Sequence, residues 1–370
     1  MNIQRKWLKR RLSAILLFNG YVADETLGSI ARRIAVKPSQ IVKLNSNENF
    51  FIPKKALVKL LKEVIEEHDP RIYPQDEEFK VKEAIGKYLG ISPEHVVVGN
   101  GSDQLIGLIT QLFLRSGDEA ILVTPTFFMY RHSIGLQGAR AIDVPLRRDF
   151  SLDVEQILAK ATPKTRILFV CSPNNPTANQ FEMEEILALI ESFQGLVVVD
   201  EAYVEFAKYS VTHLIKDFEN LIVLRTFSKA FGMASLRLGY AVSNTVITSA
   251  LERVQLPYSV SAITLRMGLK LLENFNLVTV GIERLKQERE RLIKRLNEID
   301  EVKAFASQTN FVLFQTGRPS KDVHRLLLKQ GILVKHLGRV LYFDNCLRTT
   351  VGLPNMNSRL LSALERACGG

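Results

Sequence analysis

Seven short runs rich in β-branched residues recur between residues 96 and 242, with helical stretches between them. They are Val96–Val98, Ala120–Val123, Ala141–Val144, Arg166–Cys171, Leu196–Asp200, Leu221–Arg225 and Leu238–Val242. Strand-length apolar runs that do not alternate with polar residues suit strands buried on both faces, and their interleaving with helices predicts a mainly parallel α/β sheet. Each run is bounded by turn chemistry, as in Gly99-Asn100-Gly101, Thr124-Pro125-Thr126 and Ser172-Pro173-Asn174-Asn175-Pro176. Polar residues therefore gather beyond the C-terminal ends of the strands, where open α/β sheets bind their ligands.

The rest of the chain reads differently. From Leu271 to about Ile299 the sequence is charged and helical, and it leads into the strand-like Asn310–Phe314, which marks a second, smaller α+β unit. The first 70 residues carry a helical stretch, Lys54–Glu67, but no strand pattern, and are expected to wrap onto the small unit. The expected division is an N-terminal segment 1–70, a large domain 71–270 and a small domain 271–370.

With 46% hydrophobic and 24% charged residues the chain can bury a substantial core. Its net charge of +10 is spread along the chain without a helix-turn-helix, RRM or zinc-finger pattern, so small anionic substrates are expected rather than nucleic acid. No apolar run approaches the roughly 18 residues that cross a bilayer. Cys171, Cys346 and Cys368 are too scattered for a disulfide framework or a zinc site, which fits a reducing, cytoplasmic setting. The basic cluster Arg5, Lys6, Lys9, Arg10 and Arg11 reads as a solvated helix rather than a transit peptide.

Three positions carry candidate chemistry. Lys229, in Thr226-Phe227-Ser228-Lys229-Ala230-Phe231-Gly232, follows a buried strand directly. Desolvation at such a strand edge lowers a lysine's pKa and makes it a usable nucleophile. Asp200 ends the run Leu196–Asp200, placed for a buried cationic ring, although the local pattern alone favours a solvent-facing helix cap. Gly99-Asn100-Gly101-Ser102-Asp103-Gln104 follows a strand and opens a helix, so its backbone N–H groups and the Ser102 hydroxyl suit a phosphate. It lacks the Walker lysine and the dinucleotide glycine spacing.

Taken in order, the motifs Leu44–Asn49, Tyr73-Pro74, Gly99–Gln104, Ser172–Thr177, Asp200–Tyr203, Ser228–Gly232, Leu236–Gly239 and Leu347-Arg348 resemble those of the fold-type I aminotransferases that use pyridoxal 5'-phosphate. Within that group the chain is most similar to the histidinol-phosphate aminotransferases. The resemblance implies a large domain with a mixed, mainly parallel sheet between helices, a smaller α+β domain, and a homodimer with shared active sites. It implies a Schiff base at Lys229, which also moves protons, Asp200 at the ring nitrogen, Asn175 and Tyr203 at the ring hydroxyl, and Phe127 on the ring face. Ser102, Asp103, Gln104, Ser228 and Arg237 would hold the cofactor phosphate, with Tyr73 arriving from a second subunit.

For the substrate, the resemblance implies Arg348, Lys335 and Tyr21, and amino transfer from L-histidinol phosphate to 2-oxoglutarate in histidine biosynthesis. A guanidinium fork at Arg348 fits either a carboxylate or a phosphate, unless Arg348 is a surface residue ahead of a strand Thr349–Val351. The sequence departs from the family pattern at Phe127 (usually tyrosine), Gln104 (an acid), Phe50 (proline), Ala178 (glycine) and Lys335 (arginine). Aromatic amino-acid aminotransferases and threonine-phosphate decarboxylases share most of the cofactor motifs. A basic nucleic-acid-binding or scaffold protein has no reason to carry Lys229, Asp200 and Arg237 together.

Overall fold

The seven β-branched runs are neighbours in one sheet. In the computed structural model, which describes residues 3–16 and 25–368, they are β2 (Val96–Asn100), β3 (Glu119–Thr124), β4 (Arg140–Pro145), β5 (Thr165–Cys171), β6 (Leu196–Asp200), β7 (Leu221–Thr226) and β8 (Leu238–Val242). Their order is β2-β8-β7-β6-β5-β3-β4, and only β8 runs against its neighbours.

The chain steps outward from β3 to β4 and then returns to the other side of β3 as β5, so the winding reverses between β3 and β5. Such reversals open a crevice beyond the strand ends. Alternate residues feed separate apolar clusters on the two faces, Val197 and Val199 on one and Val198 on the other, which explains the continuous apolar reading of these strands.

A smaller antiparallel sheet has the order β12-β13-β10-β9, built from β9 (Val302–Ala304), β10 (Phe311–Thr316), β12 (Lys335–Val340) and β13 (Phe343–Thr350). The helices Ser320–Lys329 and Pro354–Cys368 pack against each other, and the first also packs on this sheet. The helical stretch expected from Leu271 is two helices, Ala262–Glu273 and Phe275–Asn297, which break at Asn274.

The first 70 residues do contain a strand, which the sequence pattern gave no sign of. β1 (Val42–Lys43) lies parallel to β11 (Ile332–Leu333), and two residues are too few to show a period. The helix Lys54–Glu66 packs instead on Ala262–Glu273. The basic N-terminal segment Ile3–Leu16 is helical, and its described side chains are exposed. Among the described residues no helix is long and apolar enough to cross a membrane. All three cysteines are buried thiols.

Candidate active site

The C-terminal ends of β3, β5, β6 and β7 open into a cavity of about 550 Å³. Because β8 runs the other way, its N-terminal start lies at the same edge, and this brings Arg237 to the loops that follow the other strands. Lys229, Asp200, Tyr203, Asn175, Phe127, Ser102, Asp103, Ser228, Arg237, Arg348 and Lys335 all line this cavity. Residues spread over most of the sequence thus meet at one place.

Lys229 leaves the loop after β7 and is half-buried. Its Nζ lies 3.5 Å from the carbonyl of Ser46 and 5.7 Å from the centre of the Tyr203 ring. Burial, assisted by the positive charge of Arg348, lowers its pKa to about 8. Asp200, the last residue of β6, is buried. Tyr130 Oη donates to its Oδ2 at 2.6 Å, and the Ala202 N–H donates to its Oδ1 at 3.0 Å. Burial nevertheless raises its pKa to about 6, against the lowering effect of these two donors.

At the other end, Arg237 donates to Ser228 Oγ at 3.2 Å and to Asp103 Oδ2 at 2.8 Å. Arg237 has a φ of 56°, a left-handed conformation that few non-glycine residues adopt. A Cβ on Gly101 would come within 2.6 Å of the Arg237 guanidinium, and one on Gly239 within 2.4 Å of the Ser102 nitrogen. Two glycines therefore let the Arg237 fork and the start of the helix Gly101–Phe113 close around one concave spot, the donor set an oxyanion requires.

The small sheet supplies the opposite wall. Arg348 lies inside β13, not ahead of a strand, and is 8% exposed. It donates to Asn175 Oδ1 at 2.5 Å and to the Asn45 carbonyl at 3.0 Å, with its guanidinium 5.1 Å from the centre of the Phe311 ring. Lys335 on β12 is its direct cross-strand partner.

Two expected residues, Gln104 and Tyr73, are not among those that line the cavity. Gln104 turns back, and its Oε1 accepts from the Asn100 N–H at 2.6 Å, because a side chain in the first helical turn can cap the preceding loop. Tyr73 is 70% exposed and stacks on Tyr258 with ring centres 4.7 Å apart. Tyr21 lies outside the described residues.

Two features escaped the sequence reading. The strip Asn45-Ser46-Asn47 lines the cavity, and Asn47 Nδ2 donates to Tyr203 Oη at 3.1 Å. Tyr130, three residues after Phe127, holds Asp200 from behind. The motif Leu44–Asn49 signalled the first; nothing local signalled the second.

A cavity with a half-buried, low-pKa lysine and a buried carboxylate, and a guanidinium–glycine cradle at its other end, fits a phosphorylated heteroaromatic aldehyde with a basic ring nitrogen. Comparison with known proteins agrees. Residues 39–364 match the sequence model of aminotransferase class I and II. The chain is 36% identical to the histidinol-phosphate aminotransferase of Ruminiclostridium cellulolyticum over 88% of its length and 92% of the relative's. It is also 36% identical to that of Methanosarcina mazei over 99% of its length and 98% of the relative's.

Among solved structures, the histidinol-phosphate aminotransferase of Sinorhizobium meliloti in complex with pyridoxal 5'-phosphate superposes with a TM-score of 0.85. That likeness covers 94% of this chain and 95% of the other at 23% identity. The L-threonine-O-3-phosphate decarboxylase of Porphyromonas gingivalis gives 0.77 at 23% identity, over 89% and 100% of the two chains. At such identities these likenesses speak for the fold alone. The chain belongs to the class I and II aminotransferases, and its cofactor is pyridoxal 5'-phosphate.

Proposed function

We propose that the enzyme transfers the amino group of L-histidinol phosphate to 2-oxoglutarate, giving imidazole acetol phosphate and L-glutamate. The observation that carries this reading is the opposition of Arg348 and Lys335 on one cavity wall, two cations suited to a substrate with a dianionic end. The shared name of the relatives supports the same donor.

In this reading Ser102, Ser228 and Arg237 hold the cofactor phosphate. The Asp103 carboxylate, already paired with Arg237, orients that guanidinium instead of touching the phosphate. Gln104 acts only by shaping the loop. Phe127 covers one ring face, Asn175 and Tyr203 hold the ring hydroxyl, and Asp200 pairs with the ring nitrogen. When bound, the cofactor supplies an electron sink for the bond broken at the substrate's α-carbon.

Lys229 would hold the cofactor covalently, and its amine would move a proton at the substrate's α-carbon. A pKa near 8 keeps an appreciable share of that amine neutral around neutral pH. Arg348 takes the carboxylate of glutamate or the phosphate of histidinol phosphate, and Lys335 adds the second charge the phosphate needs.

The same reading includes a cytoplasmic homodimer with the division 1–70, 71–270 and 271–370. Tyr73, exposed on one protomer, would reach its partner's cofactor phosphate, and Tyr21 would contact substrate. The experiment is a donor panel with 2-oxoglutarate as acceptor, comparing histidinol phosphate, phenylalanine, tyrosine and O-phosphothreonine. Histidinol phosphate should turn over fastest. Preference for an aromatic amino acid, or release of carbon dioxide from O-phosphothreonine, would replace it with one of the two rival activities.

A further inference from the structure

Tyr130 is fully buried, and each part of its side chain is engaged. One face of its ring stacks on Phe169 with centres 4.8 Å apart and planes 12° apart. Phe127, on the cavity wall, meets it at 82° with centres 5.6 Å apart. Its hydroxyl donates to Asp200 Oδ2 at 2.6 Å. A single side chain thus backs both the aromatic wall of the cavity and the carboxylate at its floor.

The position follows from the chain path. Phe127 precedes the helix Phe128–Leu136, and a residue three further on lies in its first turn. That turn sits where the chain leaves β3, two strands from β6 in the sheet, so the phenol reaches over β5 to the end of β6. Phe169 on β5 is the surface it lies on.

The environment of Asp200 makes this donor matter. Asp103 and Glu201 add negative charge, and burial removes water. Cys171, its cross-strand neighbour on β5, donates to the Pro173 carbonyl at 3.3 Å, and burial pushes its thiol up so that it stays neutral. Only the Tyr130 hydroxyl and the Ala202 N–H donate to the carboxylate among the described residues. The backbone donor is present whatever the side chains, which leaves Tyr130 as the adjustable one.

We propose that Tyr130 is a positioning residue that holds Asp200 as an oriented carboxylate, so that the proton shared between Asp200 and the cofactor ring rests on the ring nitrogen. This rests on the reading of Asp200 as the ring-nitrogen partner. A donor on a carboxylate stabilises its ionised form and lowers its basicity. Without the hydroxyl the carboxylate is the stronger base, and the shared proton shifts from the ring toward oxygen.

Tyr130→Phe tests this, because it keeps both ring contacts and deletes one oxygen. Wild-type and variant apoprotein are titrated with pyridoxal phosphate and then examined by ¹⁵N NMR with cofactor labelled at the ring nitrogen. Expected are a loss of cofactor affinity of roughly 10- to 100-fold, the scale of a hydrogen bond to a charged group, and a ¹⁵N resonance moved toward the unprotonated position. Should Tyr130→Phe fail to fold, 3-fluorotyrosine at position 130 makes the phenol a stronger donor and should move the resonance the opposite way. A folded variant with unchanged affinity and an unchanged ¹⁵N shift would overturn the proposal, as would a lowered melting temperature alone. If wild type itself shows no proton on the ring nitrogen, the fault lies in the assignment of Asp200 and not in Tyr130.

Discussion

Lys335 and Arg348 stand directly opposite each other in the antiparallel ladder of β12 and β13, and both line the cavity. Like charges opposite each other on a sheet are unfavourable, and an anion lodged between them turns that cost into affinity. Lys335→Ala should therefore raise KM for histidinol phosphate by roughly 10- to 100-fold, about 1–3 kcal/mol, with a much smaller effect on glutamate. Arg348→Ala should damage both half-reactions, since it also removes the donor to Asn175. Steady-state kinetics of each half-reaction decide; equal, small effects of Lys335→Ala on every donor would show that no substrate phosphate uses this cation.

Asp200→Ala should lose cofactor affinity and turnover by orders of magnitude. A pyridinium beside a buried carboxylate pulls the acid's pKa down from about 6 while its own rises, and the pair survives burial only together. Cofactor retention on gel filtration and single-turnover rates are the measurements. Near-normal turnover would reduce Asp200 to a cap on the Ala202 N–H.

The lowered pKa of Lys229 has a definite sign in cofactor capture. Only the neutral amine attacks an aldehyde, so the rate of capture by apoprotein should flatten above about pH 8, and its ratio to the rate of a free-lysine peptide in the same buffer should fall from there. The peptide's own rate should continue to climb toward the ordinary lysine value near 10.4. Borohydride reduction followed by peptide mapping should place the cofactor on Lys229, and Lys229→Ala should abolish the label.

Away from the cavity, Arg225 on β7 is buried between two acids, with Glu201 at 2.9 Å and Glu205 at 3.4 Å, and it also donates to Ser210 Oγ at 2.6 Å. Burial raises Glu205 to about 7 even with this partner. Arg225→Ala would leave two buried carboxylates without their cation, so unfolding by denaturant should show a loss of about 3–5 kcal/mol. A loss under about 1 kcal/mol would mean that water reaches the cluster.

The large sheet was legible because its strands are covered on both faces and so read as unbroken apolar runs; Leu196–Asp200 and Leu238–Val242 match the observed strands residue for residue. The convergence of Lys229, Asp200 and Arg237 was legible for a related reason, since strand ends and the turns beyond them are marked by composition. Side-chain direction was not. Spacing places Gln104 in the first turn of its helix but cannot tell a ligand from a cap. Tyr130 looks like any buried helical aromatic until β6 is placed beneath it. The strand holding Arg348 begins at Phe343, earlier than composition suggested, because its first three residues are not buried and include the polar Asp344 and Asn345.

The wall made by Asn45 and Asn47 has a consequence for the order of events during synthesis. Asn47 N–H donates to Thr350 Oγ1 and the Asn45 carbonyl accepts from Arg348, each across 303 positions of sequence. A chain emerging from the ribosome can assemble the parallel strands around Lys229 early, since those contacts are comparatively local. It cannot close the substrate wall until residue 350 has left the exit tunnel. Contacts of such long range are late and slow to form. The nascent protein therefore passes through a stage in which the half that captures the cofactor exists before the half that selects the substrate, and a truncation ahead of β13 should leave that stage as its end point.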